Sequence, residues 1–361
     1  MTYQSPYLPT ELIMALEQNK TFLLQEIRNS EKENQPAHAL MAFLLEHKIH
    51  LALVPNEYGG FGLGPVGEMQ LIRAATKLDP SLGWIIFQLC GNVGRVLSFS
   101  KDSDIKHLMA EQNGHLVFCY QNNFLPGKLS KNKGSYHLSG EWMASLSKYA
   151  SHFVLPYVAP DQSKRCMIVP QNACSILSTS IGIGLRATST TQFEISDFPV
   201  SNALYDIAAE SSNRHFLPFY TAIRAPIKHT AWTLGVGDKI MGIRNKFSLD
   251  NTEAHDLFQR AGLAFTKVIE AYEMKLLGTK AQNINISDLY EKTKALHHWL
   301  LELAMATYLA LPKEAMNPTS PLSCLILDMM TMSHHIELRE KTIKTWGQNN
   351  SLQTDQLRKH L

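Results

Sequence analysis

Two adjacent histidines, His334 and His335, follow the last long apolar repeat of the chain. An imidazole titrates near neutrality, so such a group can take up or release a proton under physiological conditions. The segment Trp142-Met-Ala-Ser145 sets an indole three residues from a hydroxyl. A tryptophan in such a place either walls a flat ligand or fills a core. Arg186-Ala-Thr188-Ser189 offers a guanidinium and then two hydroxyls. The guanidinium can grip a phosphate with two hydrogen bonds or take a surface salt bridge. The hydroxyls can donate to a phosphate or to their own backbone. Glu270 and Glu302 lie on helical patterns and are the available bases for removing an activated proton. The five cysteines are far apart and form no Cys-x-x-Cys, which reads as free thiols in a reducing compartment. No metal site is expected.

These residues need elements to hold them. Residues 8 to 113 read as helices. Leu12, Ile13, Leu16, Phe22, Leu23 and Ile27 recur at helical spacing, and so do Ala39, Leu40, Phe43 and Leu44. The run Val54-Pro-Asn-Glu-Tyr-Gly-Gly-Phe-Gly-Leu63 must be a shaped turn, one that lets the chain pass close to a flat ligand or a neighbouring helix. A further helix is expected through Val66, Met69, Ile72 and Ala75. Another starts with Ser81 as its N-cap, and a short one lies around Lys106 to Ala110.

From His115 the texture changes to short apolar or alternating runs: 116–120, 135–139 with Gly140 as breaker, 153–158, 166–169 and 192–195. Such spacing suggests a small barrel or sandwich. From about Ser211 the pattern is helical again, near 214 to 247, 252 to 278, 287 to 311 and 321 to 346, with Pro312 ending the third. Four long amphipathic helices suggest an antiparallel bundle. The expected class is α+β with three domains: a helical one over 1–114, a small β-barrel over 115–205 and a four-helix bundle over 206–361.

Net charge is +2, and the 18% of charged residues are dispersed, so no nucleic-acid partner is expected. No stretch approaches the roughly 20 apolar residues of a membrane span. The start, Met1-Thr-Tyr-Gln-Ser-Pro, has neither the basic nor the apolar run of a secretory signal. A cytoplasmic protein is the expectation.

Five stretches resemble the acyl-CoA dehydrogenase superfamily. Pro55 to Leu63 resembles its P-E-E-Y-G-G-L-G turn, and Asp79-Pro-Ser-Leu-Gly-Trp84 its D-x-S-x-G-W helix start. Gly140-Glu-Trp142-Met-Ala-Ser145 resembles its G-x-W-x-x-S strand. Gly184-Leu-Arg186-Ala-Thr188 with Phe193 to Val200 resembles its G-L-R-x-T strand. Pro321 through Asp328 to His335 is similar to the closing helix, P-L-x-R-x-x-R-D-x-x-x-x-x-x-H, of the flavin-dependent two-component monooxygenase branch. The resemblance implies FAD or FMN between the β domain and the bundle, usually in a homotetramer, with a homodimer as the smaller assembly. It also implies a small-molecule substrate and, in the monooxygenase branch, a separate flavin reductase.

Carried over residue by residue, the resemblance puts Trp142 and Ser145 along the flavin ring and Arg186, Thr188 and Ser189 near its tail. His335 becomes the acid or base, with Ser145 beside it; the plainer reading of the histidine pair is a cap or a packed subunit contact. The Y-E-G segment that carries the dehydrogenase base is missing, so ordinary acyl-CoA dehydrogenation is the rival reading, with Glu302 as its candidate base. Departures favour a second rival, a silent homologue that has lost its flavin and acts as a subunit or binding module. Cys324 and Leu327 replace the closing-helix arginines, Leu146 replaces a glycine, and 119–127 lacks the usual small donors.

Overall fold

A computed structural model describes residues 8–98, 100–112, 114–120, 127–132, 134–162, 164–188, 190–200, 205–208, 220–250, 252–276 and 286–333. Six helices come first: α1 (Thr10–Gln18), α2 (Lys20–Glu33), α3 (His38–Glu46), α4 (Pro65–Leu78), α5 (Pro80–Ser98) and α6 (Asp102–Glu111). Pro80 opens α5 because the first helical residue needs no N–H partner. The cap is Asp79, whose Oδ1 accepts the Ser81 N–H at 2.8 Å, so the expected cap at Ser81 is off by two residues. The cap of α4 comes from far away: the Val66 N–H donates to Glu273 Oε2 at 2.8 Å.

The glycine-rich turn closes on its own chain. Gly59 and Gly62 take φ of 81° and 59°, the left-handed region that favours glycine. The N–H groups of Phe61, Gly62 and Leu63 donate to the carbonyls of Leu51, Val54 and Ala52. A Cβ on Gly60 would land on the Val54 carbonyl. The close approach that Gly60 permits is therefore to 51–54.

Among the described residues eight strands follow: β1 (Phe118–Tyr120), β2 (Lys128–Asn132), β3 (Ser135–Ser145), β4 (His152–Val158), β5 (Lys164–Pro170), β6 (Ser175–Ser180), β7 (Thr190–Pro199) and β8 (Tyr205–Ala208). They form two four-stranded sheets, ordered β1-β4-β5-β8 and β2-β3-β7-β6. All pairings are antiparallel except β1 with β4. Gly140 does not end a strand; β3 runs through it with a register shift against β7. That is the bulge role of a strand glycine. The sheets meet through aromatic rings: Trp142 stacks on Phe193 at 6.0 Å, and Phe193 lies 4.3 Å from Phe153 on the opposite sheet.

The last section holds α7 (Tyr220–Lys246), α8 (Glu253–Leu276), α9 (Ile286–Ala310), a short α10 (Pro312–Met316) and α11 (Pro321–Ser333). Pro312 ends α9 by starting another helix, because its ring suits a first turn as well as it blocks an interior. The apolar cores cut across the three sections. One joins α1 to α3 and part of α5 to both sheets. A second joins Val66, Met69 and Ile72 of α4 and Trp84 and Phe87 of α5 to the last helices. Most of α5 is buried, as expected of a helix apolar on every side. Arg73 of α4 forks onto Asp238 of α7 at 2.8 and 2.9 Å.

Candidate functional site

Of the residues singled out from sequence, Trp142 and Ser145 lie on β3, and Arg186 and Thr188 lie in the short turn before β7. Trp142 is only 2% exposed, packed in the sheet core. Its ring fills the space left by the missing side chains of Gly127 and Gly140. Its Nε1–H is buried and has no hydrogen-bond partner among the described residues. Ser145 is half-buried at the end of β3, and its carbonyl accepts the Cys119 thiol at 3.1 Å. Burial pushes that thiol pKa well up, so Cys119 stays protonated and can donate.

Leu146, which replaces a glycine of the resembling pattern, is buried in the same core as Trp142, with φ of 65°. The glycine usual at this place in the resembling pattern therefore has a backbone reason. Arg186 is exposed, and its Nε–H donates to Asn34 Oδ1 at 3.2 Å. Thr188 is buried and donates to the Leu185 carbonyl at 2.7 Å, within its own turn. The structure thus brings Trp142 and Ser145 onto one strand and turns Arg186 and Thr188 to other partners. Ser189, His334 and His335 lie outside the described residues. Glu302 is exposed.

Two of the resembling stretches meet directly. The Leu185 N–H donates to Asp328 Oδ1 at 2.6 Å, and the Gly184 N–H to Thr331 Oγ1 at 3.0 Å. A Cβ on Gly184 would strike the Leu327 carbonyl. Asp328 is buried, and that desolvation, aided by the Asp79 carboxylate nearby, raises its pKa to about 8 against the pull of the Leu185 N–H.

A second polar group, which no motif marked, crosses the helical interior. Glu68 of α4 is fully buried and accepts Arg224 Nε–H at 3.2 Å. Arg224 also donates to the Gly91 carbonyl at 2.5 Å, and a Cβ on Gly91 would land on the guanidinium. Burial raises the Glu68 pKa, and Arg224 opposes the rise. One turn along α7, the Lys228 ammonium sits 4.1 Å from the centre of the Phe87 ring, within cation–π range. Pro226 lies between them in the helix interior. His229 comes next, 6.1 Å from Trp84 and 5.9 Å from Phe87. His297 of α9 lies close enough to His229 to feel its charge, and its Nε2 is 3.0 Å from Ser333 Oγ of α11. The one sequence signal for this group was misplaced polarity: Glu68 falls in the apolar stripe of Val66, Met69 and Ile72.

Comparison with known proteins fits this geometry. No family model matches the chain. Butyryl-CoA dehydrogenase from Megasphaera elsdenii superposes with a TM-score of 0.75 at 12% identity, covering 98% of this chain and 100% of that one. The chain has the acyl-CoA dehydrogenase fold. XiaF from Streptomyces sp., solved with FADH2 and glycerol, shares this fold with a TM-score of 0.75 at 14% identity over 95% of each chain. By sequence, 180 residues are 23% identical to a pigment production hydroxylase of Rhodococcus sp. (strain ATCC 21145). That match spans 48% of this chain and 45% of the relative, a little under half of each. Among the described residues no helix is long and apolar enough to cross a membrane, and no group of acidic, histidine or cysteine side chains is arranged to hold a metal.

Proposed function

We propose that the chain is a flavin-dependent oxidoreductase that oxygenates a small molecule, with reduced FAD or FMN delivered by a separate reductase. The observation that carries this reading over dehydrogenation is the state of the carboxylates in the helical interior. Thioester dehydrogenation needs a carboxylate base at the substrate. Glu68 is tied to Arg224, Glu273 caps α4 and Glu302 faces solvent, which leaves the half-buried Glu270 of α8 as the remaining candidate base. The sequence match to a hydroxylase points the same way.

Two features bear on the ring side of a flavin site: Trp142 holds a buried N–H donor with no partner among the described residues, and Ser145, three residues on, is half-buried at the end of β3. The tail side fits less well, since Arg186 and Thr188 would have to leave Asn34 and the Leu185 carbonyl. When bound, reduced flavin would supply the electrons that activate oxygen for transfer of one atom to the substrate. Trp142 would orient the ring and Ser145 would donate a hydrogen bond at its edge. His335 would take a proton from the substrate at an imidazole nitrogen. The three sections are proposed as domains with the boundaries given above, in a cytoplasmic homotetramer.

The occupied tail residues favour one other reading, a flavin-free subunit with the same scaffold. Titrating the purified protein with FAD and with FMN, while following the blue flavin absorbance and the melting temperature, separates the two. A spectrum that stays that of free flavin, with no stabilisation, leaves the silent subunit. With flavin bound, His335→Ala should lower product formation about 100-fold or more while flavin affinity holds; unchanged turnover removes His335 from the mechanism.

A further inference from the structure

Beside the β2 edge of the second sheet, three side chains form a line of hydrogen bonds. Ser135 and His137 are two residues apart on β3 and so share one face of the strand. Ser135 Oγ lies 3.0 Å from His137 Nε2, and His137 Nδ1 lies 3.0 Å from Asp197 Oδ1. Asp197 comes from β7, 60 residues after the histidine. It arrives where the register between β3 and β7 shifts, past Leu138. Asp197 takes φ of 55° there, and its N–H donates to Ser139 Oγ at 2.9 Å. An irregularity of this kind re-aims a side chain, and left-handed backbone is a cost that aspartate bears better than most residues.

The protons follow from the partners. Carboxylate and carbonyl oxygens only accept, and His137 Nδ1 faces both Asp197 Oδ1 and, at 3.1 Å, the Asp197 main-chain oxygen. Nδ1 therefore carries hydrogen. In the neutral ring Nε2 is then a bare lone pair beside the Ser135 hydroxyl. That hydroxyl has a second acceptor at 3.0 Å, the Asn132 carbonyl, and its single proton rotates between the two. The imidazole nitrogen is the more basic of them. The His137 side chain is 14% exposed and that of Asp197 63%, so the ring is held while the site stays open to solvent. Asn132 stands opposite Ser135 in the β2–β3 ladder, which brings its side-chain amide to the same face.

A hydroxyl on a base that a carboxylate orients is the arrangement of nucleophilic acyl transfer, and it is recognised by roles rather than by sequence order. The flavin reading uses none of these residues. We propose that Ser135, His137 and Asp197 form a second reactive site, one that cleaves small carboxylic esters. Ser135 Oγ bonds to the ester carbonyl carbon as its proton passes to His137 Nε2. The bond from that carbon to the alcohol oxygen then breaks, and the alcohol leaves with the proton. Water repeats both steps on the acyl-serine, releasing the carboxylic acid and restoring the hydroxyl. Asp197 is a positioning residue that holds the Nδ1–H tautomer. Asn132 donates to the carbonyl oxygen as charge builds there.

The full-length protein, without added flavin, is given p-nitrophenyl acetate and, separately, a fluorophosphonate that stays bonded to a reactive serine. Ser135→Ala and His137→Gln should each lower p-nitrophenol release about 100-fold. Asp197→Asn should lower kcat at unchanged KM, and Asp197→Glu should restore part of it; a loss of structure alone gives neither result. Peptide mass analysis should place the fluorophosphonate on Ser135. An unchanged rate in Ser135→Ala overturns the assignment, and so does an adduct on another residue or on none. Should a variant fail to fold, the adduct on the unaltered protein decides alone. Flavin enters neither assay, so a preparation that binds no flavin and still labels at Ser135 would break the oxygenase reading and keep this site.

Discussion

At the head of β7, Thr188 donates to a carbonyl three residues back and Arg186 reaches only to the end of α2. Inside the helical section, Arg224 reaches across to α4 and α5, and His297 leaves a buried nitrogen without a donor among the described residues. The first region carries the wording of a flavin site, yet Arg186 and Thr188 there are already engaged by groups of the chain itself. The second carries no motif, and its polar side chains are held in an apolar core at a cost that local structure does not explain. A motif records what a backbone turn needs as well as what a ligand needs. Buried polarity is the more demanding sign, because each such group requires a partner.

The difference can be broken most forcefully at Arg224. Arg224→Met removes the guanidinium held against the buried Glu68 carboxylate, and should destabilise the protein by about 3–5 kcal/mol. Urea unfolding would show a lower midpoint with an unchanged slope. Replacing both partners, Glu68→Leu with Arg224→Met, should recover much of the loss, since an apolar pair of similar size tolerates the site. A single-variant loss within about 0.5 kcal/mol, the range of an ordinary surface substitution, would erase the contrast between the regions.

Asp328 sits where the two regions touch and tests the seam by pH. Its folded pKa, about 8, lies above the ordinary carboxylate value because of burial and the nearby Asp79. The folded state therefore holds this proton more tightly than the unfolded chain does. The stabilisation is complete below about pH 4 and is lost as pH rises toward 8. Asp328→Asn keeps an acceptor for the Leu185 N–H and cannot ionise. The variant should gain on the unaltered protein by a few kcal/mol between about pH 4 and pH 8, read from urea midpoints across that window. A difference that stays flat with pH would remove the ionisable latch between the Gly184–Leu185 turn and α11.

Much of the scaffold was legible in the sequence. The order of helices, strands and helices, and the long bundle helices, follow from apolar periodicity, which burial enforces over many turns. Single punctuating residues were less readable, because each has two structural meanings. Gly140 can end a strand or bulge it, and the choice depends on pairing with β7. Pro312 can stop one helix or start the next. The strands β2, β6 and β8 went unseen; β2 at least is a largely exposed edge with no alternation of burial to reveal it. The interior site was hidden for a different reason. Glu68 and Arg224 are 156 residues apart, and only the packing of α4 on α7 makes them neighbours. His297 precedes an exposed His298 and a half-buried Trp299, so nothing local singles it out.

The smallest effect belongs to Arg186, and it is the sharpest test of the motif region. Its hydrogen bond to Asn34 is exposed. Arg186→Ala should therefore change unfolding free energy by no more than about 0.5 kcal/mol. Flavin affinity separates the two readings. If the guanidinium stays with Asn34, FAD and FMN should bind the variant within about two-fold of the unaltered protein. A bidentate phosphate contact would instead be worth the ~1.5–3 kcal/mol of a charge-assisted hydrogen bond, a loss of roughly ten- to a hundred-fold. Such a loss without a stability change would mean that Arg186 turns from α2 to the ligand on binding. The motif region would then hold its flavin through side chains recruited from their local partners, and the contrast with the bundle would lie in when each region is satisfied rather than in whether it is.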